Sequence, residues 1–151
     1  MNQQLNKASA KKPNNRVTAL EDTDIVNLIL EDHKPLKELI KVMKDSETTP
    51  EERFATFKEF APTLVAHAKP EEEVLYKQMK KNPELLEETY EGEVEHQIAD
   101  QLVEEIKRTE DVELRSARIK VLAELVEHHI EEEEEELLPD YKKGNRPAAR
   151  S

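Results

Sequence analysis

His67-Ala68-Lys69-Pro70-Glu71 is echoed, 62 residues further on, by His129-Ile130-Glu131-Glu132-Glu133. A histidine and a carboxylate four positions apart share one face of an α-helix, so each stretch can turn both donors towards one point inside a bundle. A lone histidine stands upstream of each pair, His33 before the first and His96 before the second, 63 residues apart. The apolar residues around these four histidines decide the fold.

Val26, Ile29, His33, Leu36, Ile40 and Met43 recur at three- and four-residue spacing, which predicts a first amphipathic helix from Thr23 or Asp24 to about Asp45. Pro35 is expected to kink it just after His33, because proline removes a backbone donor and crowds the preceding turn. Thr49-Pro50-Glu51-Glu52 opens the second helix: Thr49 caps, Pro50 takes the first helical position and Glu52 completes a capping box. Its stripe is Phe57, Phe60, Leu64, His67, Glu71 and Val74, with bends expected at Pro62 and Pro70 and an end at Asn82-Pro83. Leu85, Thr89, Gly92, His96, Ala99, Val103 and Ile106 form the third stripe. A fourth helix, from about Asp111 to Leu138, is expected to bury Leu114, Leu122, Leu125 and His129, and Pro139 to stop it. Nothing reads as a strand. Short connections near 45–50, 80–84 and 109–111 force neighbouring helices to run antiparallel. The expected architecture is all-α, an antiparallel up-down-up-down four-helix bundle.

Composition agrees. Charged residues make up 38% of the chain and there are only two glycines, which favours long helices with charged outer faces. Three Phe, three Tyr and no Trp leave an aliphatic core. Cysteine is absent, so any metal here is held by nitrogen and oxygen. The net charge of −12 conceals a sharper division: Lys7, Lys11, Lys12 and Arg16 at one end and Lys142, Lys143, Arg146 and Arg150 at the other leave −20 for residues 17–141. So acidic a body lacks the basic face that nucleic acid needs. The domain reading is a disordered basic tail over 1–20, the bundle over 21–141 and a second disordered basic tail over 142–151. No apolar stretch at the start reads as a signal peptide and none reaches membrane-spanning length, so a cytoplasmic protein with no membrane partner is expected.

Successive histidines lie 34, 29 and 33 residues apart, about one helix plus one tight loop. In an antiparallel bundle this returns each imidazole to nearly the same height, within roughly one to two helical turns. A thin aliphatic core gains nothing from four imidazoles meeting at its centre unless something pairs with them all. His33, His67, His96 and His129 with Glu71 and Glu133 form a nitrogen and oxygen donor set that suits a pair of iron ions, though manganese or zinc would accept it too. Because Leu75 follows His67 by eight and Leu137 follows His129 by eight, His129 aligns with His67 and its neighbour His128 points aside. Glu72 and Glu134 are fallback ligands. Against all this stands a blander reading, a metal-free acidic bundle with satisfied core histidines.

Asp32-His33, His67 with Glu71-Glu72, Glu95-His96, and His128-His129 with Glu133-Glu134, ending in Leu137-Leu138-Pro139, resemble the hemerythrin-like, or HHE cation-binding, family over residues 24–141. Ferritin-like di-iron bundles differ, using Glu-x-x-His with the carboxylate first. The resemblance implies a non-haem di-iron centre, two iron ions with an oxo or hydroxo bridge. His33, His67, His96 and His129 would be terminal ligands, and Glu71 and Glu133 would bridge. The family's oxygen carriers have a fifth histidine four positions after the third-helix ligand. Asp100 stands there, as proton donor, extra ligand or rim carboxylate, and places the chain nearer the members with four His and two Glu. The implied function is binding of dioxygen, peroxide or nitric oxide for sensing, protection or iron handling. The alternative is an enzyme that decomposes hydrogen peroxide as catalases do. A monomer or weak homo-oligomer is expected.

Overall fold

The computed structural model describes residues 22–144. Helix α1 spans Asp22–Lys44, α2 Pro50–Pro70, α3 Tyr76–Met79, α4 Leu86–Arg108, α5 Val112–Glu132 and α6 Leu138–Gly144. A π-helical turn, Glu71–Leu75, joins α2 to α3, and a second, Glu133–Leu137, joins α5 to α6. The chain therefore makes four helical rods: α1, α2–α3, α4 and α5–α6. No strand occurs among the described residues. Residues 1–20 and 145–151, expected to be tails, lie outside the described residues. Helix α6 runs on through Lys142 and Lys143, beyond the expected domain end at 141.

The helix starts are chemically specified. Glu52 donates its backbone N–H to Thr49 Oγ1 at 3.1 Å, and Thr49 returns one to Glu52 Oε1 at 3.0 Å, so both halves of the capping box are made. Asp111 Oδ1 caps α5 by accepting from the Leu114 N–H. Rod direction follows from which residues meet. Lys37 bonds Glu134 while Lys44 bonds Glu127, and Glu95 meets His129 while Thr109 meets Arg118. Rising numbers on one rod meet falling numbers on its neighbour, so in this all-α four-helix bundle both α1 and α4 run antiparallel to the α5–α6 rod. Buried Arg53 ties the end furthest from the histidines, donating to the Asp45 carbonyl at 2.8 Å and to Ser116 Oγ at 2.9 Å.

The apolar interior is divided in two. One cluster contains Leu36, Ile40, Phe57, Phe60, Leu122 and Val126, and the other Ile29, Leu75, Tyr76, Met79, Leu137 and Leu138. Three rods cross from one to the other about their histidine: His33 lies between Ile29 and Leu36, His67 between Ala61 and Leu75, and His129 between Val126 and Leu137, while α4 sends Ala99, Val103 and Ile106 into the first cluster. A polar layer thus sits between two apolar ones. Each fully buried aliphatic side chain contributes about 1.5–3 kcal/mol, which holds that layer at fixed height.

Three expectations change. Pro139 does not stop the fourth helix; it stands in the first turn of α6, directly after the π-helical turn. There Leu138 N–H bonds back five residues to the Glu133 carbonyl, and a residue without an N–H costs little in a new first turn. Val74 is exposed, and Leu75 and Tyr76 are buried instead, because the wider turn rotates the inward face past position 74. Leu114 is also exposed, while Ser116, Ile119, Ala123 and Val126 form the buried stripe. At about 100° per residue Leu114 points nearly opposite to Ser116. Leu125 is half-buried.

Candidate metal centre

All six expected donors meet in the polar layer. His33, His67, Glu71, His129 and Glu133 are buried, and the His96 side chain is 11% exposed. They form two groups placed to hold a metal ion: His33, His67, Glu71 and Glu133, and Glu71, His96, His129 and Glu133. Both carboxylates belong to both groups. Glu71 sets Oε2 at 2.9 Å from His67 Nε2 and Oε1 at 3.0 Å from His96 Nε2. Glu133 sets Oε1 at 3.0 Å from His33 Nε2 and Oε2 at 3.0 Å from His129 Nε2. Each carboxylate divides its oxygens between the two histidine pairs.

The π-helical turns bear on this arrangement. Both begin at the shared carboxylate residue, and Tyr76 N–H and Leu138 N–H bond back to the carbonyls of Glu71 and Glu133. Such turns recur at functional sites because one added residue re-aims a side chain without breaking the rod.

Three of the four imidazoles have a carboxylate behind them. His33 Nδ1 lies 2.8 Å from Glu134, His96 Nδ1 2.6 Å from Glu72 and His129 Nδ1 2.5 Å from Glu95. A carboxylate there fixes the tautomer and turns the Nε2 lone pair inward. Glu72 and Glu134, the fallback ligands, thus stand behind His96 and His33 and are absent from both buried groups.

The electrostatics follow from this crowding. Burial opposes charge on the His33 imidazole, but Glu133, Glu71 and Glu134 outweigh it and raise its pKa to about 9. His129 is raised well above its ordinary value and His96 is raised too, burial again being overcome by carboxylates. Burial would push the Glu71 carboxyl up; the surrounding imidazoles instead hold it well below the usual range. The Tyr76 hydroxyl is driven up by burial and by the neighbouring Glu71 and Glu133 charges, so it stays protonated.

Whether these residues fit a cation is decided at His67. Its Nε2 stands 2.9 Å from Glu71 Oε2, yet neither atom makes a hydrogen bond, nor does His67 Nδ1. A buried polar atom left unpaired costs about 1–3 kcal/mol. A cation held by His67 and Glu71 would satisfy both. The donor set fits.

The hemerythrin HHE cation-binding domain matches residues 24–141, most of the chain. The chain belongs to that family. No curated protein and no solved structure matches it significantly.

This hemerythrin domain has a feature that sequence reasoning passed over. The Tyr76 hydroxyl reaches into the polar layer, donating to Glu133 Oε2 at 2.8 Å and lying 3.5 Å from both Glu71 Oε1 and His96 Nε2. An aromatic residue on an apolar stripe reads as core, and its ring is core; only its hydroxyl is not. Glu95 was also missed as the partner of His129. Its place beside His96 gave no sign that it faced another helix.

A cavity of about 20 Å3 adjoins His67, His96 and His129 and is otherwise walled mainly by Leu64, Ala99, Leu125, Val126 and Ile130. It holds one water-sized molecule. His128 points aside as expected, exposed and 3.2 Å from Glu132. Asp100 is exposed at the rim and belongs to neither buried group. No described helix is long and apolar enough to cross a membrane.

Proposed function

We propose that the protein is a non-haem di-iron protein that binds dioxygen or a related small oxygen species, peroxide or nitric oxide, in sensing, protection or iron handling. The observation that carries this reading is the division of Glu71 and Glu133, each with one oxygen towards either histidine pair. His33 and His67 would hold one ion and His96 and His129 the other, with both carboxylates shared. Ferrous ions held there supply electrons in pairs and a coordination position open to a small ligand.

The residues do the rest. The cavity of about 20 Å3 beside His67, His96 and His129 is on the scale of a single small molecule such as dioxygen or peroxide. Its aliphatic walls keep bulk water out and favour an apolar gas. Glu72, Glu95 and Glu134 hold three imidazoles in place, and Tyr76 holds Glu133 while keeping its proton at the phenolic oxygen. A hydroxyl that stays protonated beside the centre and offers a hydrogen bond there is what favours the second reading, decomposition of hydrogen peroxide. A metal-free bundle would leave His67 Nδ1 buried without a partner and the close His67 Nε2–Glu71 Oε2 pair without a well-formed hydrogen bond.

Anaerobic loading with ferrous iron followed by exposure to air tests the proposal. Two irons per chain and the near-ultraviolet absorbance of a coupled ferric pair are expected. Fewer than two irons, or no such absorbance, rules it out. Oxygen evolution from hydrogen peroxide, lost in Glu71→Ala, would favour the enzymatic reading; its absence from the loaded protein rejects it.

A further inference from the structure

We propose that the two halves of the centre fill unequally and in order, the His96/His129 half first and tightly, the His33/His67 half second, its ion being the exchangeable one. The inference rests on the two-metal reading above.

The halves look alike only in their inner donors. Behind His96 and His129 stand Glu72 at 2.6 Å and Glu95 at 2.5 Å, so both imidazoles of that half are oriented and made more basic at Nε2. On the other side only His33 is supported, by Glu134, and that carboxylate also accepts from Lys37 Nζ at 2.9 Å, which draws on its charge. His67 has no hydrogen bond at either ring nitrogen. Loss of one such outer partner typically lowers metal affinity by about 10–100-fold.

Preorganisation runs the same way. His96 Nε2 and His129 Nε2 are 3.1 Å apart, with Glu71 Oε1 and Glu133 Oε2 each 3.0 Å from one of them. Tyr76 fixes the Glu133 oxygen that faces this half. In the other half the inner contacts are as short, His67 Nε2 at 2.9 Å from Glu71 Oε2 and His33 Nε2 at 3.0 Å from Glu133 Oε1, but no phenol braces the oxygens that face it. Access also favours the first half. A cavity of about 30 Å3 between α4 and α5, lined by Glu88, Glu91, Glu95, Glu132 and Glu136, leads to His129 and Glu133. Its charge draws cations towards that side.

Ferrous iron titrated anaerobically into the full chain tests the order, followed by calorimetry and by tyrosine difference absorbance. Two steps separated by about 10–100-fold in affinity are expected. The tyrosine change should be complete in the first step and lost in Tyr76→Phe. Glu95→Gln, which keeps the side-chain shape, should weaken the first step towards the second, and His67→Ala should retain the first step alone. Two ions bound with one affinity, or a tyrosine change that follows the second ion, overturns the order and leaves a two-metal centre standing. No binding in the unaltered protein overturns the two-metal reading itself, and the order with it.

Discussion

The Tyr76 hydroxyl occupies the space that a side chain on Gly92 would claim: a Cβ built there stands 2.9 Å from the hydroxyl oxygen and 3.2 Å from the carbon bearing it. Gly92 lies inside α4, where glycine costs about 1 kcal/mol relative to alanine. Room for the phenol is what the helix gets in exchange. Gly92→Ala should therefore destabilise the protein in spite of alanine's better helix propensity. Overpacking costs about 1–3 kcal/mol, less the propensity gain, so a net loss near 1 kcal/mol and a melting temperature lower by several degrees are expected. A thermal melt checks this. A rise in melting temperature would mean that the phenol moves aside freely.

Chelated protein should lose stability as pH rises from neutral towards 9. A group whose pKa is raised on folding stabilises the fold fully below its unfolded value and loses that contribution as pH passes the folded one. For His33 the window runs from about 6.5 to about 9, and His96 and His129 act in the same sense. Glu71 is depressed, so its contribution is present above the ordinary carboxylate range and disappears only in strong acid. Urea unfolding in the presence of a chelator should show greatest stability at mildly acidic pH and a loss of a few kcal/mol by about pH 9. A flat profile between pH 6 and 9 would show that the imidazoles are not charged by their carboxylates. Metal binding should run oppositely, its affinity rising with pH, because the imidazoles must give up protons to bind.

What was legible in the sequence, and what was not, turns on the difference between a helix face and a neighbour across a gap. His33, Leu36, Ile40 and Met43 share a face by their spacing, and burial of that face follows directly. The same arithmetic placed four histidines at one height. It failed where the helix is irregular. After Glu133 the third position on is Glu136, and apolar residues resume only at Leu137 and Leu138, the mark of a wider turn. That mark was present in the sequence and unused. After Glu71 it was masked, because Val74 fills the place an ordinary turn would bury. The Tyr76 hydroxyl and the Glu95 carboxylate meet partners on other rods, at sequence separations that no periodicity reports.

Adjacent histidines give a direct check of the site. His129 Nε2 lies 3.0 Å from Glu133, whereas the His128 side chain is 62% exposed and pairs with Glu132 at 3.2 Å. His128→Ala should leave iron content unchanged and move stability by no more than about 0.5 kcal/mol, as surface changes usually do. His129→Ala should lower iron content and also leave Glu95 without its imidazole partner. Elemental analysis of both variants after identical anaerobic loading decides the point. Equal iron loss in the two would assign the ligand wrongly.

Metal should stabilise the fold, and by an amount that separates a bound centre from an acidic bundle that merely attracts cations. A ligand held only by the folded chain adds about 2.7 kcal/mol at a hundred times its dissociation constant. Ferrous iron at such an excess, without oxygen, should raise the melting temperature above that of the chelated protein by several degrees. Glu71 takes part in both groups, so Glu71→Gln, which keeps the shape and removes the charge, should abolish most of that rise. Glu134→Gln removes only the support behind His33 and should reduce it in part. Identical melting with iron and with chelator would return the protein to the metal-free reading. A rise that survives Glu71→Gln intact would place the bound cation elsewhere on the acidic surface.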